Sequence, residues 1–369
     1  SGTKEHSVML ECKSSVLCFQ MKGIDKLSSI AVSFKNGKTY TLKTLNAPVL
    51  DKSKAAPFYI VVPSQKSDRV DVTFTSASGS MNRSLLSKEF MSGHVHRFAQ
   101  LEFKADKKYR IMSYNIGQCK QGGNSSAKLI ADVTRELKAD VAVMNEVRSS
   151  LIFNHAETIA ENLGWEKYYK SAISGMGNMI TYNPNKLKLI GSPTSLTLNK
   201  LESSTVQYNE DRVCLFMEFE DFILLGSHLQ KDAFTVHAKK ITDKVKAEYA
   251  KKGKPVIFCG DMNTRPYAVE LKDFTSEWRV LSRTDQSTFY NPDQPDNLIC
   301  IDYIFLWKGG PDVWVTEAKV CKQVSCCTIT DASDHFPIYL DITVGNSSLP
   351  LLEEEVSLGT FSVDHEPIW

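Results

Sequence analysis

Residues 255–259, Pro-Val-Ile-Phe-Cys, form an apolar run that passes straight into Gly260 and Asp261 and, two residues further on, Asn263. Side chains alternate along a strand, so a carboxylate and an amide spaced by two lean toward the same side where the strand gives way to a loop. That spacing describes a site rather than a turn. Other apolar segments finish in the same manner: SYNI delivers Asn115, VMNEV delivers Glu146 and LLGSHL delivers His228. CIDYIF carries Asp302 inside its run, and ASDHFP presents Asp334 and His335 just ahead of another. One such residue is ordinarily a satisfied structural hydrogen bonder. Repetition over so many strands asks for another explanation, because a buried charge is costly unless it is paired or metal-bound.

The residue types narrow the chemistry. Oxygens of Glu, Asp and Asn suit a hard cation, Mg²⁺ or Mn²⁺, whereas zinc more often recruits several His or Cys. Two histidines with separate carboxylates suit acid–base or charge-stabilising roles. The chain has no nucleophile-elbow serine, no P-loop and no Gly-x-Gly-x-x-Gly fingerprint, which removes support for acyl transfer, nucleoside-triphosphate binding and nicotinamide binding. Metal-assisted hydrolysis of a phosphate ester is the chemistry that remains.

The elements that must carry these residues fall into two domains and a tail. Residues 1–107 read as β throughout. SSIAVSFKNGKTYTLKTL is two alternating segments around Asn36-Gly37, a hairpin signal, and APFYIVVP, DRVDVTFTSA and GHVHRFAQLEF continue at short-strand spacing, which predicts a small β-sandwich. KADKK, residues 104–108, is the expected linker. From Tyr109 to residue 345 strands alternate with helices, the mark of an α/β domain. SSAKLIADVTRELKAD predicts a helix with Ser125 or Ser126 as N-cap and Leu129, Ile130, Val133 and Leu137 on one face. A second helix around HAETIAENLG is expected to end at Gly164, and a third near Gly253. GNMITYNPNKLKLI and RVCLFMEFEDFILLGSHL each read as a hairpin. Residues 346–369 form an acidic tail whose aromatics, Phe361 and Trp369, either dock on the body or stay loose.

The formal net charge of +1 conceals an asymmetry: residues 1–107 hold 16 basic against 9 acidic side chains, residues 108–345 hold 28 against 29, and the tail holds none against 5. A domain gripping long nucleic acid usually shows a strong basic surface, and the central part has no such excess, although the basic N-terminal module could supply one. Several of the nine cysteines sit inside apolar runs, and they read as buried small hydrophobes rather than a disulfide framework. No apolar run reaches the roughly 18 residues that a membrane-spanning helix needs. An all-β module ahead of a hydrolase, in a chain that starts at Ser1, fits an exported enzyme, periplasmic or at the cell surface, with a surface ligand for that module; a cytoplasmic location is the other reading.

Taken together, SYNI, MNEV, GSHL, GDMN, IDYIF and SDH, in that order across residues 109–345, resemble the endonuclease/exonuclease/phosphatase superfamily of deoxyribonuclease-like metal-dependent phosphohydrolases. The resemblance implies a four-layer α/β/β/α sandwich, two packed mixed sheets flanked by helices, with the site at one end of the sheets. It implies Glu146 as the principal Mg²⁺ or Mn²⁺ ligand, with Asn115 and Asp334 beside it. It places His335 at the scissile phosphate, oriented and kept charged by Asp302. His228 becomes the imidazole that stabilises the pentacoordinate transition state or protonates the leaving oxygen. Asp261 aligns or deprotonates the attacking water, Asn263 holds a phosphate oxygen, and Arg212 and Asn178 support substrate binding. Where deoxyribonuclease-like members carry a carboxylate to orient the first histidine, this chain has Gly175, Met176, Gly177 and Asn178, leaving His228 to Asn178 or another partner. The function this implies is hydrolysis of a phosphodiester, in nucleic acid or a phospholipid head group. A phosphomonoesterase acting on a small or inositol-type phosphate and a catalytically inactive surface binding module are the alternatives.

Overall fold

The computed structural model describes residues 13–23, 25–44, 46, 48–119, 124–150, 152–173, 176–202, 209–294, 297–344 and 352–357. They divide into two compact units that meet in sequence between Asp106 and Lys107.

The first unit contains β1 (Ser14–Lys22), β2 (Leu27–Phe34), β3 (Thr39–Lys43), β4 (Ala56–Pro63), β5 (Gln65–Ser76), β6 (Gly79–Phe90) and β7 (His94–Glu102). β1 pairs antiparallel with β4 and parallel with β7, and a second, antiparallel sheet runs in the order β3-β2-β5-β6. Period-two alternation makes the two sheets face one another. Along β4, Phe58, Ile60 and Val62 are buried while Pro57, Tyr59 and Val61 are exposed, and Phe19 of β1 meets Phe74 of β5 edge-on at 5.3 Å in the shared core. The Asn36-Gly37 hairpin forms between β2 and β3, with Gly37 at φ 81° supplying the left-handed turn residue. The sequence reading passed over β6, because GSMNRSLLSKEF sets polar and basic residues where an alternating apolar pattern would mark a strand.

One buried ion pair closes this unit. Arg83 donates to Asp106 at 2.9 Å, and the other Asp106 oxygen accepts the backbone and side-chain amides of Asn82; both charged side chains are about one-twentieth exposed. Removing one partner leaves a buried charge uncompensated, so Asp106→Ala is expected to cost about 3–5 kcal/mol. Loss of amide-exchange protection in β5 and β6 would be the readout; unchanged protection would assign the pair no structural weight.

The second unit holds β8 (Lys107–Asn115), α1 (Asn124–Glu136), β9 (Val141–Arg148), α2 (His155–Leu163), β10 (Glu166–Ile173), β11 (Met176–Tyr182), β12 (Thr194–Leu198), β13 (Arg212–Glu218) and β14 (Ile223–Ser227). It continues with α3 (Phe234–Lys244), β15 (Val256–Asp261), α4 (Val269–Phe274), β16 (Trp278–Val280), β17 (Asp302–Trp307), β18 (Val313–Val320), α5 (Ile329–Ala332) and β19 (Ile338–Val344). Two six-stranded mixed sheets result, β10-β11-β9-β8-β19-β18 and β12-β13-β14-β15-β17-β16. Alternation again explains the layers. On β13, Val213, Leu215 and Met217 join the core shared with the first sheet, while Cys214 and Phe216 join the core beneath α3 and α4. On β15, Ile257 and Cys259 face one way and Val256 and Phe258 the other. Strands buried on both faces read as continuous apolar runs, and this is why these segments stood out in the sequence. The result is the four-layer α/β/β/α sandwich.

Several local expectations are refined. Gly164 ends α2 at φ 67°, and Gly253 at φ 65° ends the helical stretch that continues α3 through a π turn and a 3₁₀ turn. β13 and β14 form the expected hairpin. The other does not form: β11 pairs with β10 and β9, and the KLKLI segment contributes only an isolated bridge from Leu189 to Phe219. α1 starts at Asn124, which sets Ser125 and Ser126 inside its first turn rather than at the cap. The last strand among the described residues, β20 (Leu352–Ser357), belongs to the first unit and pairs antiparallel with β7, so part of the acidic tail is an edge strand; Phe361 and Trp369 lie outside the described residues. Cys18, Cys214, Cys259 and Cys300 are buried free thiols, as their apolar contexts predict, and Cys119 and Cys321 are buried free thiols in more polar segments.

Candidate active site

The second unit delivers the chemistry-bearing residues to one end of its two sheets. Asn115 ends β8, Asp261 ends β15, His228 follows β14, and Asp302 opens β17 directly opposite Asp261 in the antiparallel register. Asp334 and His335 lie just before β19.

The sheets are joined there by buried amides. Asn115 Nδ2 donates to Glu146 Oε1 at 3.2 Å and to Asp261 Oδ2 at 3.0 Å. Asn145 Oδ1 accepts the Asp261 backbone N–H at 2.9 Å, and Asn145 Nδ2 donates to Asn178 Oδ1 at 2.9 Å. Asn178 Nδ2 in turn donates to the Val213 carbonyl at 2.8 Å. Sequence reasoning missed Asn145, since strict alternation would turn it away from its neighbour Glu146. The β9–β11 register shifts at this point: Met144 opposes Met179 and Val147 opposes Gly177, so Asn145 and Glu146 together face Asn178. This bulge, with Glu146 at φ 56°, lets two consecutive side chains reach the site. The signal in the sequence is the buried amide beside the acid in MNEV.

His335 is the most constrained group. Its Nδ1 lies 2.8 Å from Asp302 Oδ2, its backbone N–H donates to Ser333 Oγ, and Phe289 packs edge-on against its ring at 5.0 Å. Ser333 Oγ also donates to the Asn115 carbonyl at 2.7 Å, which couples the SDH segment to β8. Burial works against the imidazolium, but the carboxylates of Asp302, Asp261 and Asp334 outweigh it and push the His335 pKa up to about 10. His228 is the opposite case. Burial, with Arg212 and His335 nearby, holds its pKa well below the ordinary histidine range. Asn263 Nδ2 lies 2.8 Å from its Nε2, and that amide's other donation goes to the Leu229 carbonyl at 2.9 Å, which sets the amide orientation.

Asp261 stands between the two rings, its Oδ2 lying 3.5 Å from His228 Nε2 and 3.7 Å from His335 Nε2. Burial and the nearby Asp302 charge raise its pKa to about 7. Asp261 Oδ1 accepts the Asn263 N–H at 2.8 Å, and Asn263 has φ 48°.

The remaining expected residues fall as follows. Arg212 Nη1 lies 3.4 Å from His228 Nδ1, and both line a small cleft with Asn178. Asn178 was expected to support substrate binding, and His228 to be oriented by Asn178 or another partner. The Asn178 amide is occupied on both sides by Asn145 and Val213, so it braces the bulge, and Arg212 and Asn263 contact His228 instead. Asp334 lies next to Ser333 and His335, with its carbonyl accepting the Tyr290 N–H.

Two groups compete for a cation. Ligand atoms of Asp261, Asp302 and His335 lie within 4.8 Å of one another. An imidazole committed through Nδ1 to Asp302 and holding its proton up to about pH 10 is a poor ligand, so this cluster is a charge network. Glu146, Asn115 and Asp334 offer oxygen donors without a thiol, with Glu146 and Asp334 only half-buried, and this donor chemistry fits a hard cation such as Mg²⁺ or Mn²⁺.

A two-sheet sandwich flanked by helices, carrying acid, amide and imidazole groups at one end, defines a hydrolytic class of protein. The chain belongs to the Endonuclease/Exonuclease/phosphatase family, whose model matches residues 112–335. No curated protein matches the chain. Among solved structures it is similar to an endonuclease/exonuclease/phosphatase from Bacteroides vulgatus, at 17% identity and TM-score 0.54 over 65% of this chain and 100% of that one. A family protein from Bacteroides thetaiotaomicron is similar at 18% identity and TM-score 0.55 over 66% and 97%. A mannosyl-6-phosphatase of Bacteroides thetaiotaomicron VPI-5482 is similar at 19% identity and TM-score 0.54 over 63% and 99%. At these identities the likeness is one of fold.

Proposed function

We propose that the second unit hydrolyses a phosphodiester by attack of water, with the help of a divalent cation. The observation that carries this reading is Asp261, a carboxylate whose pKa of about 7 suits proton transfer at neutral pH, held between a neutral and a charged imidazole. A phosphodiester is anionic and repels an approaching nucleophile, so the site must neutralise charge. His335, protonated and backed by Asp302, presents that positive charge at Nε2. Asp261 aligns the water and takes its proton. Arg212 holds a phosphate oxygen, while Asn263, its amide protons given to His228 and the Leu229 carbonyl, holds the neutral His228 ring beside Asp261 rather than the phosphate itself. A bound Mg²⁺ or Mn²⁺, held by Glu146 with Asn115 and Asp334, would supply further neutralisation of the phosphate charge.

The test is hydrolysis of bis(p-nitrophenyl) phosphate beside p-nitrophenyl phosphate, with Mg²⁺, with Mn²⁺ and with EDTA. Metal-dependent cleavage of the diester supports the reading. Preference for the monoester would move the chain toward the activity that the mannosyl-6-phosphatase neighbour is named for, and silence on both would favour a binding module. In the same assay Glu146→Ala should raise the Mg²⁺ concentration needed for half-maximal activity by about 10–100-fold. An unchanged titration would remove Glu146 from the ligand set.

A further inference from the structure

Among the described residues six cysteines are buried and two reach the surface, and those two are adjacent: Cys326 is exposed and Cys327 is half-buried. They lie in the segment between β18 and α5. Glu136, at the end of α1, anchors that segment, its two carboxylate oxygens accepting the backbone N–H groups of Ser325 and of Cys326, the latter at 2.8 Å. The Cys326 thiol donates to Cys327 Sγ at 4.0 Å. The segment also leads toward the site: Cys327 is followed by Thr328 and α5, and α5 runs straight into Ser333, whose hydroxyl donates to the Asn115 carbonyl, and then into Asp334 and His335.

The two thiols are not equivalent. Partial covering of its sulfur and the Glu136 carboxylate push the Cys326 thiol up to about 12. Cys327 is raised as well, by burial and by the charges of Asp331, Glu136 and Asp132, but its contact with Cys326 works the other way, because a donated hydrogen bond favours the thiolate. Cys327 is therefore the sulfur that attacks first and Cys326 the one that follows. A bridge between them would close a small ring. Adjacent Cα atoms stand about 3.8 Å apart, closer than the roughly 4.4–6.8 Å that disulfides span, so such a bridge is strained, and strained, exposed disulfides are the ones that reopen.

We propose that Cys326 and Cys327 form a redox modification site, a dithiol that low-molecular-weight disulfides such as oxidised glutathione convert to an internal disulfide and that the matching thiol reopens. The inference stands apart from the phosphoesterase reading. In the first step the Cys327 sulfur attacks one sulfur of the oxidant, the S–S bond of the oxidant breaks, and one small thiol leaves with the proton that Cys327 released. In the second step Cys326 gives up its proton, its sulfur attacks Cys327 Sγ, and the second small thiol leaves with that proton. The protein dithiol loses two electrons and two protons, and one small disulfide becomes two thiols. The ring shortens the link into α5, so its effect reaches the segment that carries Ser333 and His335.

The experiment treats the full chain, reduced and then freed of reductant, with oxidised glutathione and follows intact mass and peptide maps after acid quenching. The expected product has lost two hydrogens, carries no adduct, and maps to the peptide that holds both cysteines. Cys326→Ser should stop at the first step and accumulate a glutathione adduct on Cys327, while Cys327→Ser should react at least about tenfold more slowly, because the remaining thiol is the one held protonated. Glu136→Gln removes a negative charge beside Cys326 and should speed ring closure about tenfold. Neither cysteine is buried, so serine at these positions does not threaten folding. An excess of about tenfold of reduced glutathione should reopen the ring, and amide exchange across residues 328–335 should differ between the two forms. A lasting adduct on the unsubstituted chain, a bridge to another cysteine or no reaction at the pair would overturn the proposal. A ring that reduced glutathione leaves closed would overturn its reversibility, and identical exchange in the two forms would overturn its reach to the His335 segment.

Discussion

His335→Ala is expected to lower turnover of a phosphodiester by at least about 10²-fold and toward 10⁴-fold, the range over which positioned acid–base and charge-stabilising groups act. The substitution removes the positive charge aimed at the phosphate and leaves Asp302 and Asp261, both almost fully buried, facing each other without a counter-ion. Two carboxylates so placed do not both remain ionised; one takes up a proton, which limits the damage to the fold while disabling Asp261 as a base. The loss is therefore expected in kcat more than in KM, with near-wild-type near-UV circular dichroism. Asp302→Asn should follow in the same direction, because it removes the largest of the charges that keep His335 protonated. Activity of His335→Ala within tenfold of wild type would sink the assignment of this imidazole.

The second large effect is expected at Gly260. Its φ of 148° lies in a region that residues with a Cβ rarely adopt, and an added Cβ would stand 1.8 Å from the Ser227 carbonyl oxygen and 3.3 Å from Asn145 Oδ1. Backbone is the obstruction, so no side chain can swing aside. Gly260→Ala must push β15 away from β14, the strand that leads into His228, and disturb the amide that holds the Asp261 N–H. A loss of about 4 kcal/mol or more is expected in urea unfolding. Any folded fraction should be about 10²-fold less active, because displacing Asp261 by about 1 Å spoils its alignment with water. Stability within about 1 kcal/mol of wild type would show that the two strands separate more readily than their pairing implies.

The two variants probe different levels of the same design. At His335 the strand is unaffected and the charge is lost; at Gly260 no functional group is lost and the geometry is. The amide network explains why the second matters for chemistry: Asn115, Asn145 and Asn178 are buried, and their donors and acceptors bind the β8–β9 side of one sheet to the β13–β15 side of the other. A buried polar network that is fully satisfied holds one arrangement, and here that arrangement sets the distances around Asp261.

The amino-acid sequence by itself determined which segments are buried and which polar residues they deliver to one end of the sheets. Asn115, Glu146, His228, Asp261, Asn263, Asp302, Asp334 and His335 were legible because each interrupts or terminates an apolar run, and a polar group in such a run stands out locally. The Asn36-Gly37 turn, the hairpin ending at Ser227 and the glycine stops at Gly164 and Gly253 were legible for the same reason, being set by neighbours a few residues apart. Only the tertiary structure decided what depends on residues distant in the chain. Asn145 enters the site through a bulge that exists because β11 lies beside β9. Asn178 braces that bulge, and KLKLI forms no second hairpin strand because β10 and β9 already flank β11. The contrast between His228 and His335 likewise lies in their surroundings: the same side chain, equally buried, is held neutral beside Arg212 and charged beside Asp302. Periodicity reports which face of a strand is apolar, whereas strand order and charge state depend on which strands become neighbours, and that is settled only when the sheets close.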